Sequence, residues 1–211
     1  MTDKHRALII VDVQPTFCEG GELGVEGGNA VVARIHDFVT ANRGRYDVIA
    51  TTQDWHIDPG DHWSDTPDYV DTWPRHGVAG SANAALHPDI ASLDIEHHMK
   101  KGQYTAAYSG FEGVEDDTDG VPTREEVALA LADDRTLEHL LGEYGVTDVD
   151  VVGLALSHCV KDTALDAADR GFATRVYTSL SAPVSAALGE AAERELAAAG
   201  VTLVEGTDYV D

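Results

Sequence analysis

The chain has 211 residues, enough for one α/β domain with a sizeable core and too few for two, with 43% hydrophobic and 25% charged residues. Fourteen basic residues against 38 acidic ones give a formal charge of -24, a field that repels phosphate backbones and anionic lipid, so neither nucleic acid nor a membrane surface is expected as a partner. No run of about 18 apolar residues is available to span a bilayer, and the two cysteines, Cys18 and Cys159, are too few for a disulfide framework, which points to free thiols in a reducing cytoplasm.

From the N-terminus, the apolar run at 7–13 predicts a first strand rather than a secretory leader. The Gly-rich stretch from Gly20 to Gly28 fits neither dinucleotide nor Walker patterns and is expected to be a loop over the rim of a sheet. Helical periodicity follows at 29–41, then a strand at 47–52. Residues 54–88 are too many for an ordinary connection and are loaded with His, Trp, Asp and Pro. A loop of that kind is functional or disordered, and Trp55, Trp63 and Trp73 argue for order. The acidic, turn-rich segment 112–134 is expected to be a solvated loop leading into a helix, with no chemistry of its own.

Beyond it, helices at 135–144, 159–169 and 185–198 alternate with strands at 150–156, 174–178 and 201–204. Gly44, Gly145, Gly171 and Gly200 stand where left-handed caps would end helices before the next strand. This alternation predicts a single α/β domain with three layers, a mainly parallel sheet of about six strands with helices on both faces.

In such a sheet, ligands bind beyond the carboxyl ends of the strands. Asp12 closes the first strand, Asp54 follows the second, and Ser157-His158-Cys159 follows the strand from 150, so all should meet at one rim. A lone cysteine is most often a small buried residue. Cys159, however, sits where a strand turns into a helix, where unpaired N–H groups favour a thiolate, and a neighbouring base and cation would make it a nucleophile. His158 is adjacent in sequence but points elsewhere. Asp12 could serve as the base if burial raises its pKa, and Lys101 could hold both anions.

Asp54 and His56, two apart in an extended segment, face the same side. The turn Asp58-Pro-Gly-Asp61 can bring His62 back to them, and with His76 they form an oxygen and nitrogen set suited to zinc. Asp58 and Asp61 are read as turn residues. His5, His36, His87, His97, His98 and His139 have no partner spacing that suggests a role.

The segments Val11-Asp-Val-Gln-Pro-Thr-Phe-Cys18, Thr52-Gln-Asp-Trp-His-Ile-Asp-Pro-Gly-Asp-His62, Trp73-Pro-Arg-His76, Lys101-Gly, Tyr108-Ser-Gly-Phe-Glu-Gly113 and Gly153-Leu-Ala-Leu-Ser-His-Cys-Val160 resemble the nicotinamidase/pyrazinamidase branch of the isochorismatase-like hydrolases. The resemblance implies a catalytic triad of Asp12, Lys101 and Cys159, with Lys101 preferred to Lys100 because it directly precedes Gly102. It also implies a divalent metal, zinc with manganese or iron as alternatives, held by Asp54, His56, His62 and His76. A non-proline cis peptide would join Leu154 to Ala155, and the Ala155 and Cys159 amides would form the oxyanion hole. Phe17, Trp73 and Tyr108 would line a pyridine pocket for nicotinamide, in a monomer or homo-oligomer.

Two departures from the family pattern stand out, Pro15-Thr16 where Asn-Asp is usual and Ser157 where many relatives carry an acid. The alternatives are an amidohydrolase of the same superfamily acting on a carbamoyl or ureido substrate, whose members generally lack the metal set, and a non-catalytic binding module of the same fold.

Overall fold

The computed structural model describes residues 4–211. Its centre is β1 (Arg6–Val11), buried on both faces, because every second residue serves a different layer. Leu8 and Ile10 pack with Val31, Ile35 and Phe38 of α1 (Gly28–Asn42). Ala7, Ile9 and Val11 pack on the opposite side, in one core with residues of α4 (Leu137–Glu143), α5 (Lys161–Asp169) and α6 (Ala186–Ala198). Helices therefore cover both faces, as the continuous apolar strand runs require.

Seven strands form one sheet in the order β4-β3-β2-β1-β5-β6-β7. The others are β2 (Val48–Asp54), β3 (His97–Lys101), β4 (Val114–Glu115), β5 (Asp148–Leu154), β6 (Ala173–Ala182) and β7 (Thr202–Val204). All pairings are parallel except β3 with β4 at the edge. The chain winds outward from β1 through β2 to β3, then returns to place β5 on the other side of β1. This reversal opens a crevice at the carboxyl ends of β1 and β5.

The count exceeds the expected six or so because β3 reads His-His-Met-Lys-Lys and lacks the β-branched signature of a strand. Its register against β2, with Met99 opposite Thr52 and Lys101 opposite Asp54, is set by long-range pairing. A short helix, α2 (Pro88–Ala91), was also not legible in the pattern. Gly145, Gly171 and Gly200 adopt the expected positive φ of 61°, 90° and 83°. Gly44 does not, since it lies inside a tight turn at Arg43–Arg45.

The acidic segment does lead into a helix, α3 (Arg124–Ala132), started by a reciprocal cap between Thr123 and Glu126. It is also fastened to the body. Trp55 Nε1 donates to the Gly120 carbonyl at 2.8 Å, and the Lys100 ammonium, 3.9 Å from the Trp55 ring centre, donates to the Thr118 carbonyl. Among the described residues no helix is long and apolar enough to cross a membrane.

Candidate active site

Each strand that borders the crevice delivers one ionisable group to it. Asp12 follows β1 with a positive φ of 48°, its N–H donating to the Thr52 carbonyl at 3.1 Å and its Oδ1 accepting from Thr52 Oγ1 at 2.6 Å. Asp54 ends β2, where its N–H donates to Gln14 Oε1 at 2.9 Å. Lys101 ends β3 and is completely buried. Its Nζ lies 3.0 Å from Asp12 Oδ2 and 3.6 Å from Cys159 Sγ, and it also donates to Asp54 Oδ1 and to the Ala107 carbonyl at 3.4 Å. Lys100, the alternative in sequence, faces away toward the acidic segment.

Cys159 follows β5. The Leu154–Ala155 peptide is cis, and the next turn is wide, with Val160 N–H donating to the Ala155 carbonyl at 3.2 Å before α5 begins. The expected helix start is thus displaced to Lys161, and Cys159 sits in the wide turn with its Sγ 3.6 Å from the Lys101 ammonium that also meets Asp12. His158, the neighbour in sequence, directs Nδ1 to Ser157 Oγ at 2.9 Å.

Burial dominates the electrostatics. It pushes Asp12 above the usual carboxylate range, with Lys101 opposing and Asp54 reinforcing. Burial likewise pushes the Cys159 thiol well up, against the pull of Lys101. Burial works against the charge on Lys101, yet Asp12 and Asp54 hold it well above an ordinary lysine. For Asp54, burial raises and Lys101 lowers, and with His56 added the carboxylate is held well below its usual range. The resting site therefore holds a protonated thiol against a carboxylate of raised basicity, with a permanent cation touching both.

Beside this cluster the ring nitrogens of His56, His62 and His76 lie within 4.8 Å of one another, all buried. His56 Nδ1 stands 2.6 Å from the Gly102 carbonyl and His76 Nδ1 2.8 Å from the Pro74 carbonyl. A carbonyl only accepts, so both rings carry Nδ1–H and leave Nε2 with a free lone pair. Those two Nε2 atoms lie 3.4 and 3.5 Å from Asp54 Oδ2.

Burial, with His56 and His76 adding to it, depresses His62 to about 4, so it is neutral across the physiological range. His56 Nε2 and His62 Nδ1 are buried without any hydrogen-bond partner. Orphaned nitrogens are costly unless something accepts their lone pairs, and imidazole nitrogens converging on a carboxylate are a donor set for a divalent metal. The residues fit such an ion.

Gly102 is part of that arrangement. It has φ of 73°, and a Cβ there would lie 2.4 Å from His56 Cε1. Gly102→Ala is expected to displace the His56 ring and weaken divalent-metal binding by about tenfold to a hundredfold, read by competition with a chromophoric chelator. Wild-type affinity in that variant would show that His56 is not held by this contact.

A cavity of about 400 Å³ opens over the cluster. Phe17, Trp73 and Tyr108 line it, and Trp73 Nε1 donates to Tyr108 Oη at 3.0 Å. Ala155, Cys159, Asp54, His62 and His76 are at its floor and walls, and the loop from Gly20 to Val25 runs along its rim. Sequence reading did not anticipate Tyr69, His158 or Val184 in the lining. Only the adjacency of His158 to Cys159 offered a signal. The histidines set aside lie elsewhere: His97 Nδ1 is 2.7 Å from Glu115 Oε1, and His98 Nδ1 is 2.7 Å from Thr51 Oγ1. Asp58 is exposed and pairs with Arg124 at 3.3 Å.

Comparison with known proteins agrees with this architecture. Residues 6–208 match the isochorismatase domain. A nicotinamidase/pyrazinamidase of Mycobacterium tuberculosis is 48% identical over 199 residues, covering 94% of this chain and 98% of that protein. A crystal structure of an L. infantum protein in complex with nicotinate superposes with a TM-score of 0.75 at 32% identity, over 97% of this chain and 94% of that one. The pyrazinamidase of Pyrococcus horikoshii, solved in complex with zinc, gives a TM-score of 0.73 at 26% identity, over 96% of this chain and 99% of that one. With this match across nearly its whole length, the chain belongs to the isochorismatase family.

Proposed function

We propose that this protein is a nicotinamidase, which hydrolyses nicotinamide to nicotinate and ammonia through a thioester on Cys159, and that it accepts pyrazinamide as a second substrate. The observation that carries the reading is the Lys101 ammonium placed 3.0 Å from Asp12 and 3.6 Å from Cys159, beside three buried histidines and under an aromatic cavity. Relatives named nicotinamidase, and neighbours solved with nicotinate and with zinc, support the same choice over a carbamoyl amidase.

Asp12 takes the thiol proton of Cys159 as sulfur attacks the carboxamide carbon, and Lys101 stabilises the charge that passes between them. The carbonyl oxygen becomes an oxyanion, which we assign to the backbone N–H groups of Ala155 and Cys159. Asp12 returns its proton to the nitrogen as the C–N bond breaks and ammonia leaves. Water then attacks the thioester with Asp12 as base, the C–S bond breaks, and the proton goes back to sulfur. Phe17, Trp73 and Tyr108 pack the ring and exclude water.

Asp54, His56, His62 and His76 would hold the divalent ion, which we take to be zinc, and when bound it supplies a Lewis acid for the pyridine nitrogen. Chelation is expected to raise KM and lower turnover at least tenfold, with activity restored by added zinc. Ammonia release from nicotinamide that is unchanged in protein shown by elemental analysis to be metal-free would sink this assignment.

The pH profile follows from Asp12. Burial raises its pKa above the ordinary 3.8, so the proton-accepting form disappears on acidification sooner than for an exposed aspartate. The acid limb of kcat/KM should therefore fall through a pKa above 3.8. A flat profile down to that value would remove Asp12 from the role. We place the enzyme in the cytoplasm, as a monomer or homo-oligomer without nucleic-acid or membrane partners.

A further inference from the structure

His158 lines the cavity and Ser157 contacts it, yet neither performs a step above. Ser157 is buried, at 7% exposure, within the wide turn that carries Cys159. Its Oγ accepts the Val184 N–H at 3.1 Å and stands 2.9 Å from His158 Nδ1. A hydroxyl has one proton, and the amide already supplies the proton of the first contact. The oxygen could accept a second time, but its own proton has no other acceptor among the contacts of Ser157 Oγ, so it goes to the second contact and Nδ1 accepts.

In a neutral imidazole the other nitrogen must then carry N–H. Burial, with the charge of Lys161 second, lowers the His158 pKa, which favours the neutral ring. The ring is also held in place, edge-on to Trp73 at 5.4 Å and 6.3 Å from Tyr108. It lines the cavity beside Cys159, and with Nδ1 occupied, Nε2 is the only polar ring atom left to meet a ligand.

We propose that Ser157 is a positioning residue that fixes the tautomer of His158, so that the cavity wall beside Cys159 presents an Nε2–H donor and selects ligands with a carbonyl or carboxylate oxygen there. The assignment of the tautomer is independent of the amidase reading. The ligand preference rests on the amidase reading, with the amide substrate and the acid product as the ligands concerned.

The test is long-range ¹⁵N–¹H NMR on histidine-labelled, metal-loaded protein at about pH 8, where a neutral ring is read directly. The wild type should show His158 as the Nε2–H tautomer. Ser157→Asp replaces a donor with a group that only accepts, so the ring proton should move to Nδ1, and KM for nicotinamide should rise about threefold to tenfold with kcat little changed. Ser157→Thr keeps a hydroxyl and should restore the wild-type tautomer and KM.

A wild-type spectrum with His158 protonated at Nδ1 overturns the proposal, and needs no variant to fold. So does a Ser157→Asp protein whose tautomer is unchanged, or one whose tautomer moves while KM does not. If the wild type releases no ammonia from nicotinamide, the amidase reading fails, while the spectrum still decides the tautomer.

Discussion

Replacing Cys159 by Ala is expected to lower ammonia release from nicotinamide by on the order of 10⁴-fold or more, the scale seen when a nucleophile is removed from a concerted catalytic group. Three features of the geometry make the loss so large. The sulfur is the thiol that lines the cavity beside Asp12, on the proposed mechanism its attack is what Lys101, 3.6 Å away, stabilises, and the hydroxyl that also meets Asp12, Thr52 Oγ1 at 2.6 Å, is buried and does not line the cavity. The fold should survive, because the side chain loses one atom from a wall of the cavity. Circular dichroism and zinc content that match the wild type, with turnover gone, are the expected result. A variant that still releases ammonia at a tenth of the normal rate would exclude a thioester.

Lys101→Met should injure both stability and turnover. The ammonium is completely buried between two carboxylates that are themselves at most 3% exposed. Methionine fills much the same space but leaves those anions facing each other without a counter-charge, a defect that costs about 3–5 kcal/mol when one partner of a buried ion pair is removed. For a protein of this size that corresponds to a fall in Tm of roughly 10 °C. Part of it should return when zinc is bound, since Asp54 then faces another cation. Turnover should stay absent under both conditions, because on the proposed mechanism Asp12 loses the charge that balances its proton transfer with Cys159. Thermal melts with and without zinc check the first effect, and single-turnover assays check the second. Unchanged melting would mean that the cluster is solvated enough to do without the lysine.

How much of this was legible in the sequence depended on whether local pattern or distant pairing decided the structure. β1, β2, β5 and β6 carry β-branched apolar runs that leave little choice of conformation. Asp12 and Asp54 could be placed at the rim because each directly follows or ends such a run. β3 was missed because its residues are histidines and lysines whose burial comes from pairing with β2, a contact that a local window does not contain. Lys101 could be named as a cation for both anions, but its place at the end of a strand was not legible, and its preference over Lys100 came from resemblance.

The cavity lining divides in the same way. Trp73 and Tyr108 were identified within family motifs. Tyr69 and Val184 reach the opening from a turn and from the segment after β6, and nothing in their neighbourhood marks them. The acidic segment showed its helix through the Thr123 cap but gave no sign that Gly120 and Thr118 would meet Trp55 and Lys100.

The four ionisable groups at the crevice come from β1, β2, β3 and the turn after β5, residues 12, 54, 101 and 159. A fragment that holds them all must run from residue 12 to residue 159, and between neighbours in this series lie 40 or more positions that must first take their places. Catalysis is thus a property of the completed sheet, reached late when contacts are this non-local. During refolding, return of turnover should lag recovery of helical signal, so the enzyme reports its own final assembly.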